Sequence, residues 1–242
     1  MEAIKTLQLT KRYRDLVAVD RLDLQIQQGE LFSLLGVNGA GKTTTIKMLS
    51  CLIKPTSGDA FIENHSILHG DKAIRSMISV SPQETAVAPN LSVKENLELI
   101  CGIYGFSREK TTVRIRQITE QFGLQNILSK KAGRLSGGWQ RRVSIAMALI
   151  SEPSVLFLDE PTLGLDVIAR SELWELIRGL KRRITVVLTT HYMEEAEALS
   201  DRLGIMKNGK LLYVGTAPEL MAKTGSDRFE NAFIQIVKEA NP

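Results

Sequence analysis

A glycine-rich segment at residues 36–44 has the residue types and spacing of a phosphate-binding loop. It reads Gly-Val-Asn-Gly-Ala-Gly-Lys-Thr-Thr and matches the pattern G-x-x-x-x-G-K-[ST] in full. Glycines leave backbone N–H groups free to converge on phosphate oxygens, and the start of the following helix adds positive potential. We therefore expect Lys42 to reach the β- and γ-phosphates of ATP and the Thr43 hydroxyl to ligate Mg²⁺. The other nucleotide contacts predicted in this segment are Asn38, Gly39, Gly41 and Thr44.

Two acidic residues end an apolar strand later in the chain. Residues 155–158 read Val-Leu-Phe-Leu, as expected of a strand buried on both faces, and Asp159 and Glu160 follow directly. A strand end of this kind can place one carboxylate near Mg²⁺ and the next near the attacking water. We predict that Asp159 is the metal partner and that Glu160 is the general base.

A third segment, Leu-Ser-Gly-Gly at residues 135–138, precedes a helical pattern. Ser136 is of a residue type that often caps helices, so one interpretation is a loop that simply starts a helix. The other interpretation is a second helix N-terminus that binds phosphate. The spacing alone does not choose between these two interpretations.

The order of the predicted elements indicates how these segments are positioned. Short apolar strands alternate with helical patterns before and after a long helical stretch, which predicts a parallel sheet with helices on its faces. The glycine-rich loop and the acidic pair each follow a strand of that sheet. These predicted strands comprise residues 31–35, 78–80, 155–158 and 184–190.

Three further patterns concern the surroundings of this sheet. Residues 85–150 predict an α-helical insert, in which Ser92 precedes Glu95 at the spacing of a capping box. Asn208-Gly209 predicts an antiparallel hairpin with a type I′ turn at the sheet edge. Residues 228–239 predict a last helix whose apolar stripe packs in the core.

Length and composition are those of a globular protein. The chain has 242 residues, 43% of them hydrophobic and 24% charged, which is enough apolar material for a core. Its longest purely apolar run, residues 145–150, is far below the ~18 residues of a membrane span, and its charged first residues lack the apolar stretch of a signal peptide. The two cysteines lack metal-ligand spacing. Because basic residues are dispersed and aromatic residues make up only 5%, no nucleic-acid partner is expected.

Together these motifs resemble the hallmarks of the ATP-binding cassette (ABC) ATPases. Residues 135–138 resemble the signature motif of that family, and residues 161–166, Pro-Thr-Leu-Gly-Leu-Asp, resemble its D-loop. The phosphate-binding loop and the two carboxylates match the family in order and spacing. The resemblance covers about residues 1–222. It implies an α/β fold: a RecA-like P-loop NTPase core with a mixed sheet, an N-terminal antiparallel β region and an α-helical subdomain insert.

The resemblance also implies roles for residues around the loop. Tyr13 resembles the aromatic residue that stacks on adenine, and Gln83 resembles the Q-loop glutamine that approaches Mg²⁺ and the attacking water. His191 resembles the switch histidine, which contacts the γ-phosphate and helps to hold the transition-state geometry. Gln83 and His191 thereby join Glu160 as implied catalytic residues, and Gln83 also joins the implied metal ligands.

Other matched residues act across a dimer in this family. Ser136, Gly137 and Gly138 would close on the γ-phosphate bound to a second subunit, and Asp166 would link the two sites. The resemblance therefore implies a homodimer, or a heterodimer with a similar ATPase, in the ATP-bound state. The signature motif usually continues with glutamine, whereas Trp139 stands at that position and receives no catalytic role.

The implied organisation is a single ABC ATPase domain over residues 1–242. Residues 1–84 and 151–222 would form the RecA-like core with its β subdomain, and residues 85–150 the α-helical subdomain. Residues 223–242 would form a short C-terminal helix.

Three kinds of ABC protein compete as interpretations: a transporter subunit, a soluble ATPase that acts on DNA, and a factor that acts on the ribosome. The interval between the loop and the signature motif has no sustained heptads, unlike the long coiled coil of DNA-repair members. The chain carries one cassette, whereas ribosome factors typically carry two. Residues 191–202 and 209–216 resemble exporters of the ABC-2 type. We therefore expect a peripheral ATPase on the cytoplasmic side of the cell membrane, bound to an integral membrane permease and driving export.

Overall fold

A six-stranded sheet forms the centre of the molecule, whose computed structural model describes residues 1–240. All neighbouring strands run parallel except the last two in the chain, which form an antiparallel hairpin. In spatial order the strands are β11 (Lys210–Gly215), β10 (Arg202–Lys207), β4 (Leu31–Leu35), β9 (Thr185–Thr190), β8 (Val155–Asp159) and β7 (Ile78–Ser81). Every residue of β4, β8 and β9 is buried, as in parallel strands covered on both faces. The predicted α/β class with a mixed sheet is confirmed.

A second, antiparallel sheet packs beside the first. Its strands are β1 (Glu2–Tyr13), β2 (Leu16–Leu22), β3 (Gln25–Gln27), β5 (Ser57–Ile62) and β6 (His65–Ser66), with β1 between β2 and β5. One apolar cluster joins Ile4 and Leu22 of this sheet to Phe32 of β4, together with Ile46 of helix α1 (Lys42–Leu49). The predicted N-terminal antiparallel region is therefore confirmed, and it shares its core with the helix that follows the phosphate-binding loop.

The predicted helical insert consists of α3 (Val93–Ile103), α4 (Arg108–Phe122) and α5 (Gly137–Ala148). Helix α3 begins with the predicted capping box: the hydroxyl of Ser92 accepts from the backbone N–H of Glu95 at 3.2 Å, and the Glu95 carboxylate accepts from the Ser92 N–H at 2.7 Å. Leu97 and Phe122 pack in the same apolar cluster as Leu156 of β8. The insert and the central sheet thus have a common core.

Five further α-helices lie within residues 1–240: α2 (Asp71–Met77), α6 (Val167–Arg178), α7 (Met193–Leu199), α8 (Ala217–Thr224) and α9 (Phe229–Glu239). The sequence patterns predict two of these, a helix over residues 171–180, which corresponds to α6, and the helix over residues 228–239, which corresponds to α9. Helices α2 and α7 have seven residues each, too few to show a helical period. Helix α8 starts with a capping box formed by Thr216 and Glu219, which the sequence prediction missed. In the part of the chain that the structure describes, no helix is long and apolar enough to cross a membrane.

Two local predictions near the end of the chain are confirmed. Asn208 (φ 49°) and Gly209 (φ 77°) are both in the left-handed region and form the turn between β10 and β11. In α9, Phe229 and Phe233 are buried in a cluster with Leu220 of α8, so the apolar stripe packs in the core. The predicted C-terminal segment extends to residue 242, and residues 241–242 lie outside the described residues.

Candidate active site

The phosphate-binding loop leads from β4 into α1. Gly39 (φ 81°) and Gly41 (φ 106°) occupy the left-handed region, which glycine adopts without strain. A Cβ on Gly41 would also collide with the carbonyl oxygen of Ala18 in β2. Gly41 is the N-cap of α1, and no side chain caps the first N–H groups of this helix. These donors and the positive end of the helix dipole suit a bound phosphate.

Lys42, the first residue of α1, extends back across this loop. Its Nζ donates to the carbonyl oxygens of Gly36 at 2.7 Å and Val37 at 3.3 Å. The same ammonium lies 3.4 Å from Oε1 of Glu160, and both side chains are buried. The loop therefore holds a buried positive charge in a fixed place, next to the residue predicted to be the base.

The predicted metal partners Thr43 and Asp159 are in direct contact. Oγ1 of Thr43 donates to Oδ1 of Asp159 at 3.0 Å, and Thr189 at the end of β9 donates to the same oxygen at 2.5 Å. A hydroxyl and a carboxylate are hard oxygen ligands, which suit Mg²⁺. Within residues 1–240, no group of three or more His, Cys, Asp or Glu could hold a metal ion. The donors present thus fit Mg²⁺, which commonly completes its coordination with phosphate and water.

Glu160 and His191 form a second pair beside the first. Nδ1 of His191 lies 2.8 Å from Oε2 of Glu160. The backbone N–H of Glu160 donates to both the carbonyl and the hydroxyl oxygen of Thr189, each at 3.1 Å. Glu160 has φ 48°, a left-handed conformation that costs a non-glycine residue of order 1–3 kcal/mol. The surrounding hydrogen bonds hold this strained backbone and fix the carboxylate beside the histidine.

A cavity of about 630 Å³ opens in front of these pairs. Its volume is in the range of small-molecule sites. Tyr13 at the end of β1 is half exposed on its wall, as stacking on a nucleobase requires. Of the predicted site residues, those on the wall are Tyr13, Asn38, Gly39, Gly41, Lys42, Thr43, Thr44, Gln83, Glu160 and His191. The structure therefore brings most of the predicted site together in one chain.

The signature segment lies elsewhere in the same chain. Ser136 and Gly138 line a separate cavity of about 280 Å³ together with Asp166, and no residue of the phosphate-binding loop lines that cavity. Gly137 is the first residue of α5. Asp166 caps α6 by accepting from the N–H groups of Ile168 and Ala169, both at 2.9 Å. The structure therefore does not place these residues at the nucleotide cavity of their own chain.

The structure bears on one of the two interpretations that the sequence leaves open for Ser136. The residue does occupy the N-cap position of α5, with φ −62° and ψ 159°, but its hydroxyl makes no capping hydrogen bond. The simple capping interpretation therefore does not account for a serine at this position. Close packing explains why residue 138 is a glycine, because a Cβ there would lie 3.0 Å from the Cβ of Ala169 in α6.

Sequence reasoning missed two residues that shape the site. Thr189 binds both Asp159 and the backbone of Glu160; its position on the strand adjacent to β8 is the only signal that could have found it. Arg141 of α5 is buried and donates from Nη1 to the carbonyl of Pro82 at 2.6 Å and from Nη2 to that of Gln83. Burial lowers the pKa of Arg141, and the charge of Asp159 opposes this shift. Arg141 thus fixes the backbone on which Gln83 stands.

The chain is similar to proteins of one family. A family profile described as "ABC transporter" matches residues 19–163. The probable multidrug ABC transporter ATP-binding protein YbhF of Escherichia coli (strain K12) is 37% identical over 242 residues, covering 98% of this chain and 42% of YbhF. The daunorubicin resistance ATP-binding protein DrrA3 of Streptomyces coeruleorubidus is 40% identical over 221 residues, covering 91% of this chain and 70% of DrrA3. The chain therefore spans less than half of YbhF and somewhat more than two thirds of DrrA3.

The fold is also similar to that of solved structures. The dimeric structure of a post-hydrolysis state of the ATP-binding cassette MJ0796, bound to ADP and Pi, matches with a TM-score of 0.78 and 29% sequence identity. The match covers 88% of this chain and 98% of that chain. The arrangement of sheets and helices described above is thus the arrangement of a known ATP-binding cassette.

Proposed function

Since the chain belongs to the ABC transporter family, as an ATP-binding and ATP-hydrolysing domain, we propose that it works at sites shared by two subunits and drives export through a separate membrane permease. One observation carries the hydrolytic part of this proposal. The pair Thr43–Asp159 and the pair Glu160–His191 lie side by side at the phosphate-binding loop. The first pair suits a metal ion bound to phosphate, and the second suits activation of a water molecule.

Binding of the nucleotide would involve both ends of the cavity. Lys42 and the N–H groups at the start of α1 would contact the phosphates, and Tyr13 would stack on the adenine. Thr43 and Asp159, with Gln83 on the wall of the same cavity, would hold Mg²⁺. The ion would neutralise charge that develops on the phosphates during the reaction.

Hydrolysis would depend on the orientation of one carboxylate. Glu160 would accept a proton from the attacking water as general base. His191 holds Oε2 of Glu160 and lines the same cavity, where it would also contact the γ-phosphate. Nζ of Lys42 lies 3.4 Å from the other carboxylate oxygen, Oε1 of Glu160, and the phosphates would compete with this carboxylate for the same ammonium.

The position of the signature segment supports a shared site. Ser136 and Gly138 lie on a cavity separate from the phosphate-binding loop, so one chain alone leaves the γ-phosphate without them. A two-fold arrangement would place this surface of each subunit on the nucleotide of the other. The similar cassette MJ0796 was solved as a dimer. Two identical chains, or this chain with a similar ATPase, would both satisfy the arrangement.

An apolar surface between the end of α1 and the helical insert supports a permease partner. Ile103 of α3 is 69% exposed and Leu52 after α1 is 64% exposed. Leu52 and Tyr104 line a groove of about 310 Å³, which also contains Ala86, three positions after Gln83. Exposed apolar side chains in such a group often mark an interaction site. A cytoplasmic loop of a permease in this groove would adjoin the segment that carries Gln83, and the subunit would then lie at the cytoplasmic face of the membrane.

Purification of the full-length tagged chain from its own host in mild detergent tests the partner. Mass spectrometry of the bound proteins should find an integral membrane protein with several spans in a stoichiometric amount. The comparison is the Leu52→Ser variant, which should recover less of that protein because Leu52 is exposed and lines the groove. Ribosomal proteins or DNA in place of a membrane protein would favour one of the soluble alternatives.

Transport in vesicles tests the direction. YbhF is described as a probable multidrug ABC transporter ATP-binding protein and DrrA3 as a daunorubicin resistance ATP-binding protein, which favours export for this chain. Daunorubicin is a fluorescent probe for proteoliposomes that contain the complex. With ATP supplied outside, only complexes with an outward-facing ATPase work, and export appears as accumulation inside the vesicles. ATP-dependent loss of daunorubicin from preloaded vesicles would contradict export, and Glu160→Gln serves as the inactive control.

A further inference from the structure

Glu195 is a carboxyl group buried behind the candidate active site. It lies in α7, and its relative exposure is 0%. Its Oε1 accepts hydrogen bonds from Oγ1 of Thr162 at 2.8 Å and from Nε1 of Trp174 at 3.0 Å. Burial raises the pKa of Glu195 and the charge of Glu160 adds to the rise, while hydrogen bonds with the side chains of Thr190, Thr162 and Trp174 oppose it in part.

The hydrogen bond between Thr162 and Glu195 is a second link between the two chain segments that carry the proposed catalytic residues Glu160 and His191. Thr162 lies two positions after Glu160 in the D-loop segment. Glu195 lies four positions after His191, in the first turn of α7. Nδ1 of His191 in turn lies 2.8 Å from Oε2 of Glu160. The contact of Glu195 with Thr162 therefore joins the same two chain segments as the contact of His191 with Glu160.

Trp174 links a third segment, helix α6, to Glu195 through the hydrogen bond from its indole N–H. It belongs to α6, the helix that Asp166 caps at the end of the D-loop. Through one oxygen, Glu195 therefore holds the start of the D-loop at Thr162 and the helix that follows the D-loop. Thr162 is only 1% exposed, so water does not compete for its hydroxyl. Loss of the shared acceptor would leave the buried hydroxyl of Thr162 and the partly buried indole N–H of Trp174 without this partner.

We propose that Glu195 is a positioning residue, which fixes the segment of His191 against the D-loop and thereby keeps His191 on the base Glu160. This inference rests on the proposed roles of Glu160 and His191. A displacement of the base by about 1 Å can cost ~10²-fold in rate. Glu195 does not line the nucleotide cavity. Its removal should therefore slow hydrolysis and leave the binding of ATP nearly unchanged.

Steady-state hydrolysis by the full-length chain, with titration of a fluorescent ATP analogue, tests this role. Glu195→Ala removes the acceptor, and kcat should fall ~10-fold or more while KM changes by less than about twofold. Glu195→Gln keeps an oxygen that can accept both hydrogen bonds, so its kcat should stay within about threefold of the wild-type value. Glu197→Ala, an exposed glutamate of the same helix, is the matched control and should hydrolyse ATP at the wild-type rate.

A double variant separates positioning from a general structural effect. In a His191→Ala background, Glu195→Ala should lower kcat little further, because the contact between His191 and Glu160 that Glu195 maintains is already lost. A purely structural role would lower kcat by the same factor in both backgrounds, and that result would overturn the inference. If Glu195→Ala fails to fold, Thr162→Val replaces it, because this change removes only the hydroxyl donor and carries the same expectations.

Two further results would also overturn the inference: wild-type kcat in Glu195→Ala, or a Glu195→Gln variant as slow as the alanine variant. Glu160→Gln in the same assay tests the proposed function separately. If Glu160→Gln hydrolyses ATP at the wild-type rate, the proposed base is wrong whatever Glu195 does. If Glu160→Gln is inactive and Glu195→Ala is unimpaired, only the positioning role fails.

Discussion

Nδ1 of His191 lies 2.8 Å from Oε2 of Glu160, although the two residues are 31 positions apart in the chain. The other carboxylate oxygen lies 3.4 Å from Nζ of Lys42. The three residues follow β9, β8 and β4, which are neighbours in the central sheet. Because the carboxyl ends of parallel strands meet at one edge, the sheet itself sets the distances on which this carboxylate depends.

Glu160→Gln should abolish turnover without abolishing binding. The amide has nearly the shape of the carboxylate but is not a base, so hydrolysis should fall ~10²–10⁴-fold. ATP should still bind, and an ATP-bound dimer should accumulate in size-exclusion chromatography. Phosphate release gives the rate. Glu109→Gln, at an exposed glutamate of α4, is the control, and hydrolysis by Glu160→Gln at the wild-type rate would disprove the assignment of the base.

Lys42→Ala should weaken the binding of the nucleotide itself. Charge-assisted hydrogen bonds contribute about 1.5–3 kcal/mol, so the Kd for MgATP should rise ~10–100-fold. Isothermal titration of the full-length chain measures this Kd. Lys47→Ala changes an exposed lysine of the same helix and should leave the Kd unchanged. An unchanged Kd in Lys42→Ala would show that the ammonium does not contact the phosphates.

A mixing experiment should show that two chains complete each site. Ser136→Arg and Glu160→Gln should each be inactive alone. In a mixed dimer one site carries both defects and the other carries neither, so an equimolar mixture should recover up to about a quarter of the wild-type turnover. Phosphate release before and after mixing measures the recovery. If each site lay within one chain, every chain in the mixture would remain defective and no activity would return.

The capping box of α3 should make the stability of the fold depend on pH. Hydrogen bonds from the backbone N–H and the hydroxyl of Ser92 hold the pKa of Glu95 below its usual range. The stabilisation is therefore present above the unfolded pKa of about 4.3 and is lost as the pH falls through the lower, folded value. The urea midpoint of the wild type should fall from about pH 5 to about pH 3 more steeply than that of Glu95→Gln. Glu98→Gln on the same helix is the control, and equal slopes for the wild type and Glu95→Gln would contradict the prediction.

The parts of the site that the sequence predicts are those whose residues act as contiguous groups. Residues 36–44 and the pair Asp159-Glu160 each follow an apolar strand, and both come to the same sheet edge. The capping box at Ser92 and the turn at Asn208 likewise depend on local spacing alone. Such features survive in a one-dimensional pattern because their hydrogen bonds span only a few positions.

The parts that the sequence does not predict depend on distant packing. Arg141 and Arg142 are adjacent, and only the rotation of α5 against the Q-loop segment decides that Arg141 is the buried one. Helix α7 has seven residues, and Glu195 within it meets Thr162 from a segment 33 positions earlier. Hydrophobic period and capping signals contain no information about such partners. The absent capping bond at Ser136 is likewise visible only in the folded chain.

At Glu160 the stability of the fold and the proposed chemistry make opposite demands. The left-handed backbone there lowers stability, whereas the chemistry requires a carboxylate at that position. Glycine would relieve the strain there, yet it would also remove the carboxylate. Selection or design for thermal stability alone would therefore favour the loss of the residue that we propose as the general base. A more heat-resistant form of this domain has to draw its additional stability from positions away from the end of β8, such as its helix caps and exposed loops.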